Sequence, residues 1–324
     1  MRAMTVTTPG GPDAMVLSEV PVPEPGPGQL RVAVTAAGVN FIDVYHRSGR
    51  YPIPTPFSPG LEGTGRIAAL GEGVEGFAVG DRVAWMQGPG SYAEQVVVDA
   101  TVAVPVPDEV DDLTAAALLL QGVTAHYLSH STHPVRPGDD VLIHAAAGGV
   151  GLLLTQLVRA RGGRVFATAS TEAKAELARA AGAEMVFGYD DFAAGVAECT
   201  EGVGVRVVYD GVGASTFDGS IASLQPRGLM VLFGQSSGAV PPVDPQLLSR
   251  SGSLFLTRPT TAHYLADRAE LLWRAGELFD AVRDGRLDVR IGGRYRLADA
   301  PAAHRDLEAR RTTGKLLLLT DGRD

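Results

Sequence analysis

A glycine-rich turn in the middle of the sequence has the residue types and spacing that hold a dinucleotide pyrophosphate. The run HAAAGGVG, residues 144–151, matches the spacing G-x-G-x-x-G with Ala146 in place of the first glycine. Gly148 lets the backbone approach the phosphates, Gly151 lets the following helix pack close to the strand, and that helix presents N–H groups. The turn lies between an apolar run, DVLIHAA, and a helical pattern over 150–161, which favours a nucleotide site over a purely structural turn.

The residues after the next apolar strand indicate which dinucleotide binds. An enzyme that uses NAD places an aspartate or glutamate there, on the ribose 2′-hydroxyl. Here the strand ends in ATAST, so Ser170 and Thr171 offer hydroxyls and Lys174 offers an ammonium one helical turn further. These groups bind a 2′-phosphate, which a carboxylate would repel. Glu172 falls at the start of the next helix, where acidic residues are common. We therefore expect NADPH; the alternative is that Lys174 is only a solvated helix residue.

Two hydrophobic patterns divide the chain. In roughly the first 100 residues, short β-type runs alternate with Gly and Pro clusters such as PVPEPGPG and GEGVEG, which is typical of a mostly antiparallel β-domain. From Asp140 onward, apolar strands alternate with amphipathic helices, which is typical of an α/β domain with a doubly wound parallel sheet. The final apolar run, KLLLLT, needs a sheet to join, and the N-terminal β-domain is the expected host. The α/β domain is therefore predicted to be inserted within the β-domain.

Composition and charge exclude several classes of protein. The net charge is −9 and no basic run stands out, so neither nucleic acid nor an anionic membrane is an expected partner. The longest apolar segments, such as LTAAALLL, are too short to span a bilayer. The N-terminus, MRAMTVTTPGGPD, has no apolar signal core, so we expect a cytoplasmic protein. The single cysteine, Cys199, excludes an internal disulfide and any zinc site built from several cysteines.

Eight segments match one known family in sequence order. They are GVNFIDVYHRSGRYP (38–52), PGLEGTG (59–65), GDRV (80–83), HAAAGGVG (144–151), RVVYDGVG (206–213), RGLMVLFGQSSGAV (227–240), GSLFLTRP (252–259) and LEARRTTGKLLL (307–318). Through them the chain resembles the zinc-free quinone oxidoreductases of the medium-chain dehydrogenase/reductase superfamily. The resemblance implies a GroES-like β-barrel domain, residues 1–122 plus 260–324, that carries the acceptor site. It also implies a Rossmann domain, residues 123–259, that binds NADPH, with cofactor and substrate in the cleft between the domains.

The resemblance shows where a metal ion would be expected and why its ligands are missing. Zinc-dependent alcohol dehydrogenases of the superfamily have a cysteine ligand at the position of Asn40 and a histidine ligand at the position of Leu61. Asparagine and leucine lack the thiolate and imidazole groups that zinc prefers, so no metal site is expected. Without a Lewis acid, a quinone is an easier acceptor than a simple ketone. The reduced quinone is an anion with a pKa of about 10, whereas an alkoxide has a conjugate acid with a pKa of about 16.

The family positions imply roles for further residues. Asn40, Asp43, Tyr45 and Tyr51 are the candidate catalytic residues, on a turn and a short helix near the nicotinamide. The candidate cofactor-binding residues lie at positions that contact the nicotinamide, the phosphates or the adenosine in the family: Asn40, Phe41, Tyr45, Thr124, Tyr127, Gly148, Gly149, Val150, Ser170, Thr171, Lys174, Tyr189, Gly234, Gln235, Ser236, Ser237, Thr257, Arg258, Pro259 and Arg310. Among them Ser170, Lys174, Tyr189 and Arg310 form a predicted clamp on the adenosine phosphate, with Arg311 as the neighbouring alternative to Arg310. His126 is either a proton donor or a histidine of the helix surface.

The sequence thus predicts an NADPH-dependent quinone reductase that works without zinc on a small-molecule quinone or conjugated carbonyl compound. The same scaffold suits a reductase of double bonds in enals, enones or enoyl thioesters, because the enolate formed by hydride addition spreads its charge. A third possibility, of another class, is a protein that binds NADPH without turnover. The apolar strand GSLFLT has no charged gatekeeper, so we further expect a homodimer formed through the Rossmann domain.

Overall fold

The computed structural model describes residues 1–320. The strands in this range are β1 (Arg2–Val6), β2 (Met15–Glu19), β3 (Gln29–Val39), β4 (Gly63–Leu70), β5 (Arg82–Trp85), β6 (Gln95–Asp99), β7 (Ala103–Pro105), β8 (Asp140–Ile143), β9 (Arg164–Thr168), β10 (Met185–Phe187), β11 (Val205–Asp210), β12 (Leu224–Leu232), β13 (Phe255–Thr257), β14 (Ile291–Arg296) and β15 (Lys315–Leu319). The α-helices are α1 (Phe41–Arg47), α2 (Asp112–Tyr127), α3 (Gly149–Ala160), α4 (Glu172–Ala180), α5 (Phe192–Cys199), α6 (Phe217–Ala222), α7 (Pro245–Arg250), α8 (Arg268–Arg283) and α9 (Ala300–Glu308).

The chain divides into two compact units. The first unit is formed by Met1–Leu120 together with the C-terminal part that begins at Asp267. The second unit, Gln121–Ala266, is a continuous segment between the two parts of the first. The first unit is therefore discontinuous in sequence, and its C-terminal strands have to return to it.

The first unit is built on a mainly antiparallel sheet. Its strand order is β14-β15-β3-β4-β5-β7, and β6 also pairs with β3. The last strand, β15, lies antiparallel to β3 with Leu317 opposite Gly38, which confirms the predicted return of KLLLLT to the N-terminal sheet. Leu30, Trp85 and Leu318 are among the side chains that this pairing encloses in one core. An apolar C-terminal strand is thus buried by a partner from the other end of the chain.

The second unit confirms the predicted parallel sheet. Its strand order is β10-β9-β8-β11-β12-β13 and all its pairings are parallel. The strand interiors are apolar, with Leu142, Phe166 and Met230 fully buried, because helices pack against the sheet. The order reverses between β8 and β11, which is the switch point of a doubly wound sheet. Ligands of such sheets bind at the carboxyl ends of the strands at that point.

The start of α8 is set by an aspartate N-cap. Residues Thr261–Tyr264 form a short 3-10 turn, and α8 begins at Arg268. Asp267 sets the start because its side chain accepts the N–H of Glu270 at 2.8 Å, which satisfies a free donor of the first turn. None of the helices within residues 1–320 combines the length and the apolar character needed to cross a membrane.

Candidate active site and nucleotide site

The glycine turn joins β8 to α3 in the second unit. Gly148 is the N-cap of α3 with an extended backbone (φ −76°, ψ 172°), and Gly149 begins the helix. A Cβ at Gly151 would lie 2.7 Å from the Cα of Ala146, so helix and strand meet there backbone to backbone. The left-handed residue of the turn is Ala145, with a φ of 51°. Ala146, which replaces the first glycine of the motif, is not the strained position, and this explains why a side chain is tolerated there.

The first turn of α3 can bind an anion. The N-cap of this helix is Gly148, which has no side chain to cap it, and the N–H groups of the first turn together with the positive end of the helix dipole favour a phosphate. A Cβ on Gly149 would overlap the side-chain amide of Gln121, which would have to move to make room for it. The geometry suits the predicted phosphate contacts of Gly148, Gly149 and Val150, which stay predictions.

A chain of buried hydrogen bonds joins the ends of β8, β9 and β11. His144 Nε2 lies 2.9 Å from Ser220 Oγ, and His144 Nδ1 lies 3.0 Å from Thr168 Oγ1. Ser220 and Thr216 both donate to Asp210 Oδ2, at 2.9 and 2.7 Å. Since Ser220 donates to Asp210, it accepts from His144, so the imidazole proton is on Nε2 and Nδ1 accepts from Thr168. Burial lowers the pKa of His144 to about 4, and the neutral ring that this network needs is therefore the form present at neutral pH.

Asp210 also holds the loops at the switch point. Its Oδ1 accepts the N–H groups of Val212 and Gly213 at 2.7 and 2.9 Å. The loop after β12 packs on this turn, since the backbone N–H and the hydroxyl of Ser237 both donate to the Val212 carbonyl, at 2.8 and 2.7 Å. The predicted cofactor residues 234–237 thus lie at the carboxyl ends of β11 and β12. Sequence reasoning missed Asp210, although an acid that ends an apolar strand, as in RVVYD, is a signal for such a role.

Three residues of the predicted 2′-phosphate site lie together after β9. Ser170 and Thr171 are exposed, and Thr171 is the N-cap of α4, where its hydroxyl accepts the N–H of Lys174 at 3.3 Å. The side chain of Lys174 is half-buried in the first turn of α4. Glu172 forms an ion pair with Arg179 at 2.5 Å, so its negative charge is balanced within the same helix. Two hydroxyl side chains and one lysine thus lie within five residues of each other after this strand.

The other predicted cofactor residues of the second unit lie on strand ends and on α2. Tyr189 follows β10 by two residues, with its ring 6.3 Å from that of His144. Thr257 ends β13 and is followed by Arg258, which is exposed, and Pro259, which is buried. These positions are all at the carboxyl ends of parallel strands.

Two predicted residues and one histidine lie on the C-terminal part of α2. Thr124 and Tyr127 are buried, and the Tyr127 ring stacks on that of Tyr264 with centroids 4.4 Å apart. His126 is also buried and stacks on His130 with centroids 3.9 Å apart. The interpretation of His126 as a histidine of the helix surface is therefore wrong.

In the first unit, α1 carries the residues predicted to contact the acceptor. Asn40 is the N-cap, and the side chain of Asp43 accepts the N–H of Asn40 at 2.8 Å, which completes a capping box. The rings of Tyr45 and Tyr51 meet edge to face with centroids 5.2 Å apart, and Phe41 lies 6.2 Å from Tyr45. The structure thus brings these five residues together around one short helix.

The side chain of Asp43 is fully buried and forms its hydrogen bonds within the first unit. Asp43 Oδ2 accepts from Tyr92 Oη at 3.0 Å, and Tyr92 Oη lies 3.1 Å from His304 Nε2. Burial raises the pKa of Asp43 to about 7, although hydrogen bonds from Asn40 and Tyr92 act in the opposite direction. Burial also lowers the pKa of His304 to about 3. An enclosed carboxyl of this kind is suited to holding Asn40, and its predicted contact with an acceptor finds no support in the structure.

Two residues that sequence reasoning missed, Glu62 and Lys315, surround the side chain of Asn40. Asn40 Nδ2 donates to Glu62 Oε1 at 2.6 Å, and Lys315 Nζ donates to Asn40 Oδ1 at 2.8 Å. Lys315 and Glu62 also form an ion pair in which each side chain is 1% exposed. Their signal in the sequence is a charge in an apolar setting, in KLLLL and in PGLEGTG.

This arrangement does not fit a zinc ion at the position of the ligands in zinc-dependent relatives. The carboxamide of Asn40 is bound to Glu62 and Lys315, and the side chain of Leu61 has no donor atom. The ammonium of Lys315 already places a positive charge against Asn40, which would repel a divalent cation. The residues present thus agree with zinc-free chemistry.

Arg310 belongs to the first unit, whereas Ser170, Lys174 and Tyr189 belong to the second. It follows α9 in a left-handed conformation with a φ of 55°, and its side chain is exposed. Its neighbour Arg311 forms an ion pair with Asp306 at 2.5 Å. The clamp on the adenosine phosphate therefore stays a prediction.

Known proteins resemble this chain over nearly its whole length. Residues 26–108 match the family model of the alcohol dehydrogenase GroES-like domain, and residues 149–266 match that of the zinc-binding dehydrogenases. The quinone oxidoreductase of Pseudomonas aeruginosa is 43% identical over 314 residues, which cover 96% of this chain and 97% of that protein. The 2-haloacrylate reductase of a Burkholderia species is 42% identical over 329 residues, covering 98% and 99%. The crystal structure of Escherichia coli quinone oxidoreductase complexed with NADPH has a TM-score of 0.97 and 39% identity, covering 98% of this chain and 100% of that one.

These matches confirm the fold class, a GroES-like domain with an inserted Rossmann-type parallel sheet. One family model is named for zinc binding, which is a property of only part of the superfamily and which Asn40 and Leu61 do not support here. The chain therefore belongs to the zinc-independent quinone oxidoreductases of the medium-chain dehydrogenase/reductase superfamily.

Proposed function

We propose that this protein reduces quinones with NADPH and without zinc. The observation that carries the proposal is the buried group of Asn40, Glu62 and Lys315, in which the residue at a zinc-ligand position of zinc-dependent relatives is bound by a carboxylate and an ammonium. The relatives support it as well, since quinone oxidoreductases match nearly the whole chain and one of them has been solved with NADPH.

In this proposal the second unit holds the cofactor. The first turn of α3 binds the pyrophosphate through backbone N–H groups, and Ser170, Thr171 and Lys174 bind the 2′-phosphate. Residues 234–237, residues 257–259, Thr124 and Tyr127 hold the nicotinamide half. The bound NADPH supplies the hydride. The hydrogen bonds of Asp210 keep the loops at the switch point in place before the cofactor arrives, which reduces the entropy lost on binding.

The first unit provides the acceptor residues, and the GroES-like domain to which it corresponds is proposed to comprise residues 1–122 plus 260–324. Tyr45 and Tyr51 present flat rings, which suit a planar quinone. Asn40 contacts the reacting groups, and Asp43 positions Asn40 through its backbone N–H. A reduced quinone is protonated near a pKa of about 10, so a hydrogen bond or a water molecule is enough to supply its proton.

An acceptor panel with chelated enzyme tests the proposal. Purified protein treated with EDTA should oxidise NADPH in the presence of para-quinones or ortho-quinones and should leave simple ketones unreduced, because no Lewis acid is needed for the quinone anion. NADPH absorbance is the readout. Activity that disappears on chelation and returns with zinc would contradict the metal-free reaction.

A second candidate function is the reduction of activated double bonds. The observation in its favour is the 42% identity to a 2-haloacrylate reductase over nearly the full length. Turnover of enals, enones or haloacrylates without turnover of quinones would favour this reaction over the first. NADPH binding without turnover of any acceptor in the panel would favour a non-catalytic binding protein.

The proposal includes a homodimer formed through the second unit. β13 lies at an edge of the parallel sheet and its residue Phe255 is 61% exposed, which leaves an apolar strand able to pair with a second copy. Phe255→Lys should convert the dimer to a monomer in light scattering, because a lysine on an edge strand opposes pairing. Met185→Lys is the matched control, since Met185 is an exposed apolar residue of β10 at the opposite edge. A wild-type protein that is monomeric at micromolar concentration would contradict the dimer.

A further inference from the structure

The ion pair of Glu62 and Lys315 is built into the first unit by three segments distant in sequence. Glu62 lies just before β4, Lys315 is the first residue of β15, and Gly38 on β3 lies between them. A Cβ at Gly38 would lie 2.6 Å from Lys315 Cε, so the glycine leaves the space that the lysine occupies. Glu62 Oε2 accepts the N–H of Leu120 at 3.0 Å, which holds the other end of the carboxylate. The pair therefore has a fixed geometry on both sides.

The pair determines which way the Asn40 carboxamide faces. An ammonium can only donate hydrogen bonds and a carboxylate can only accept them. The atom of Asn40 that meets Lys315 Nζ at 2.8 Å must therefore be Oδ1, and the atom that meets Glu62 at 2.6 Å must be Nδ2. In a flipped carboxamide the NH2 group would face the Lys315 ammonium, so two donors would meet, and the oxygen would face the Glu62 carboxylate, so two acceptors would meet. The two charges thus select one of the two orientations of the amide.

The chemistry of lysine matches this task. Of the 28 lysine and arginine residues in the sequence, only Lys174 and Lys315 are lysines. A compact ammonium can donate to Asn40 Oδ1 and Glu62 Oε1 from one atom, whereas a guanidinium is a wide planar fork. The general preference of this chain for arginine is therefore not followed at the position where a point-like donor is needed.

A role in stability alone does not account for the pair. Removing two charges from water costs free energy that their attraction offsets only in part, and apolar pairs of similar volume are often at least as stable. We propose that Glu62 and Lys315 are positioning residues that hold the Asn40 carboxamide in the orientation used for hydride transfer. This inference rests on the proposed function, because it assigns the pair a role in that reaction.

The test is a mutant cycle between the pair and Asn40. Lys315→Met alone would leave an unpaired buried carboxylate that strongly destabilises the fold, so the neutral double variant E62Q/K315M is used. It should reduce kcat for quinone reduction roughly tenfold to a hundredfold, because a misplaced group near the reacting atoms has effects of that size. The KM for NADPH should stay within about twofold, since the pyrophosphate and 2′-phosphate contacts are intact. In the Asn40→Ala background the same two substitutions should change kcat by less than about twofold.

Two further measurements separate positioning from folding. E270Q/R274M removes another ion pair of the first unit, in which Arg274 is fully buried, and should lower the Tm without changing kcat. The side-chain amide signal of Asn40, assigned by its absence from the Asn40→Ala spectrum, should shift in E62Q/K315M. Equal reductions of kcat in the wild-type and Asn40→Ala backgrounds would overturn the inference, as would an unchanged amide signal. If the wild-type enzyme reduces no acceptor, the proposed function fails, and the amide signal still decides whether the pair orients Asn40.

Discussion

Replacing Lys174 by glutamate is expected to raise the KM for NADPH about tenfold or more and to leave the KM for NADH nearly unchanged, a difference of about 1.4 kcal/mol in binding. Lys174 lies in the first turn of α4, directly after the exposed hydroxyls of Ser170 and Thr171. The substitution removes an ammonium from a 2′-phosphate and adds a carboxylate that repels it. NADH has a 2′-hydroxyl at this position and experiences neither change.

Steady-state kinetics with both cofactors measures this difference, and cofactor fluorescence gives the dissociation constants independently. Arg250→Glu is the matched control, because it reverses a charge on an exposed residue of another helix in the same unit. It should leave the ratio of the two KM values unchanged. Equal effects of the Lys174 substitution on NADPH and NADH would rule out a 2′-phosphate contact at this residue.

Asp43→Asn is expected to change the pH dependence of stability. The pKa of Asp43 is raised by burial from 3.8 to about 7 in the folded protein. Between these values the folded state binds a proton that the unfolded state has lost, so the free energy of unfolding decreases as the pH rises, and the decrease is complete above pH 7. The shift corresponds to up to about 4 kcal/mol. The asparagine variant does not titrate, so its stability relative to the wild type should increase by that order between pH 4 and pH 8.

Urea unfolding at a series of pH values measures this difference, and subtracting the two curves cancels the other titrating groups. Tyr92→Phe provides a second, independent variant. In the wild-type protein the Tyr92 hydroxyl donates to Asp43 Oδ2 at 3.0 Å and lowers the pKa of the carboxyl. Removing this hydroxyl should therefore move the decrease in the free energy of unfolding to higher pH. A difference curve that stays flat from pH 4 to pH 8 would show that Asp43 is ionised throughout.

Local patterns predicted much of the candidate nucleotide site. The spacing of Gly148 and Gly151 depends on contacts within a few residues, and the structure shows the same close approach of α3 to β8. Ser170, Thr171 and Lys174 lie on one strand end and the helix turn that follows it, so their proximity follows from the strand–helix unit alone. The sequence alone also showed that Asn40 and Leu61 are not zinc ligands, because zinc binding requires particular residue types.

The hydrogen-bond partners of the site residues could not be predicted from local sequence patterns. Asp43 was predicted beside the acceptor, yet it is enclosed by Tyr92 and His304, which come from other parts of the first unit. His144 precedes the glycine turn, but its hydrogen bonds run to Thr168 and Ser220 across neighbouring strands. A polar residue at a strand end looks the same in the sequence whether it faces a ligand or a buried network.

The sequence by itself determined the two domain types, the glycine turn, the polar residues after β9 and the absence of zinc ligands. Only the tertiary structure decided which residues bind the side chain of Asn40. Lys315 lies 253 residues from Glu62 and 275 from Asn40, and they meet because β15 pairs with β3 and Gly38 leaves room beside them. Strand pairing over such distances is set by the burial of the whole sheet, and no short-range pattern in the sequence encodes it.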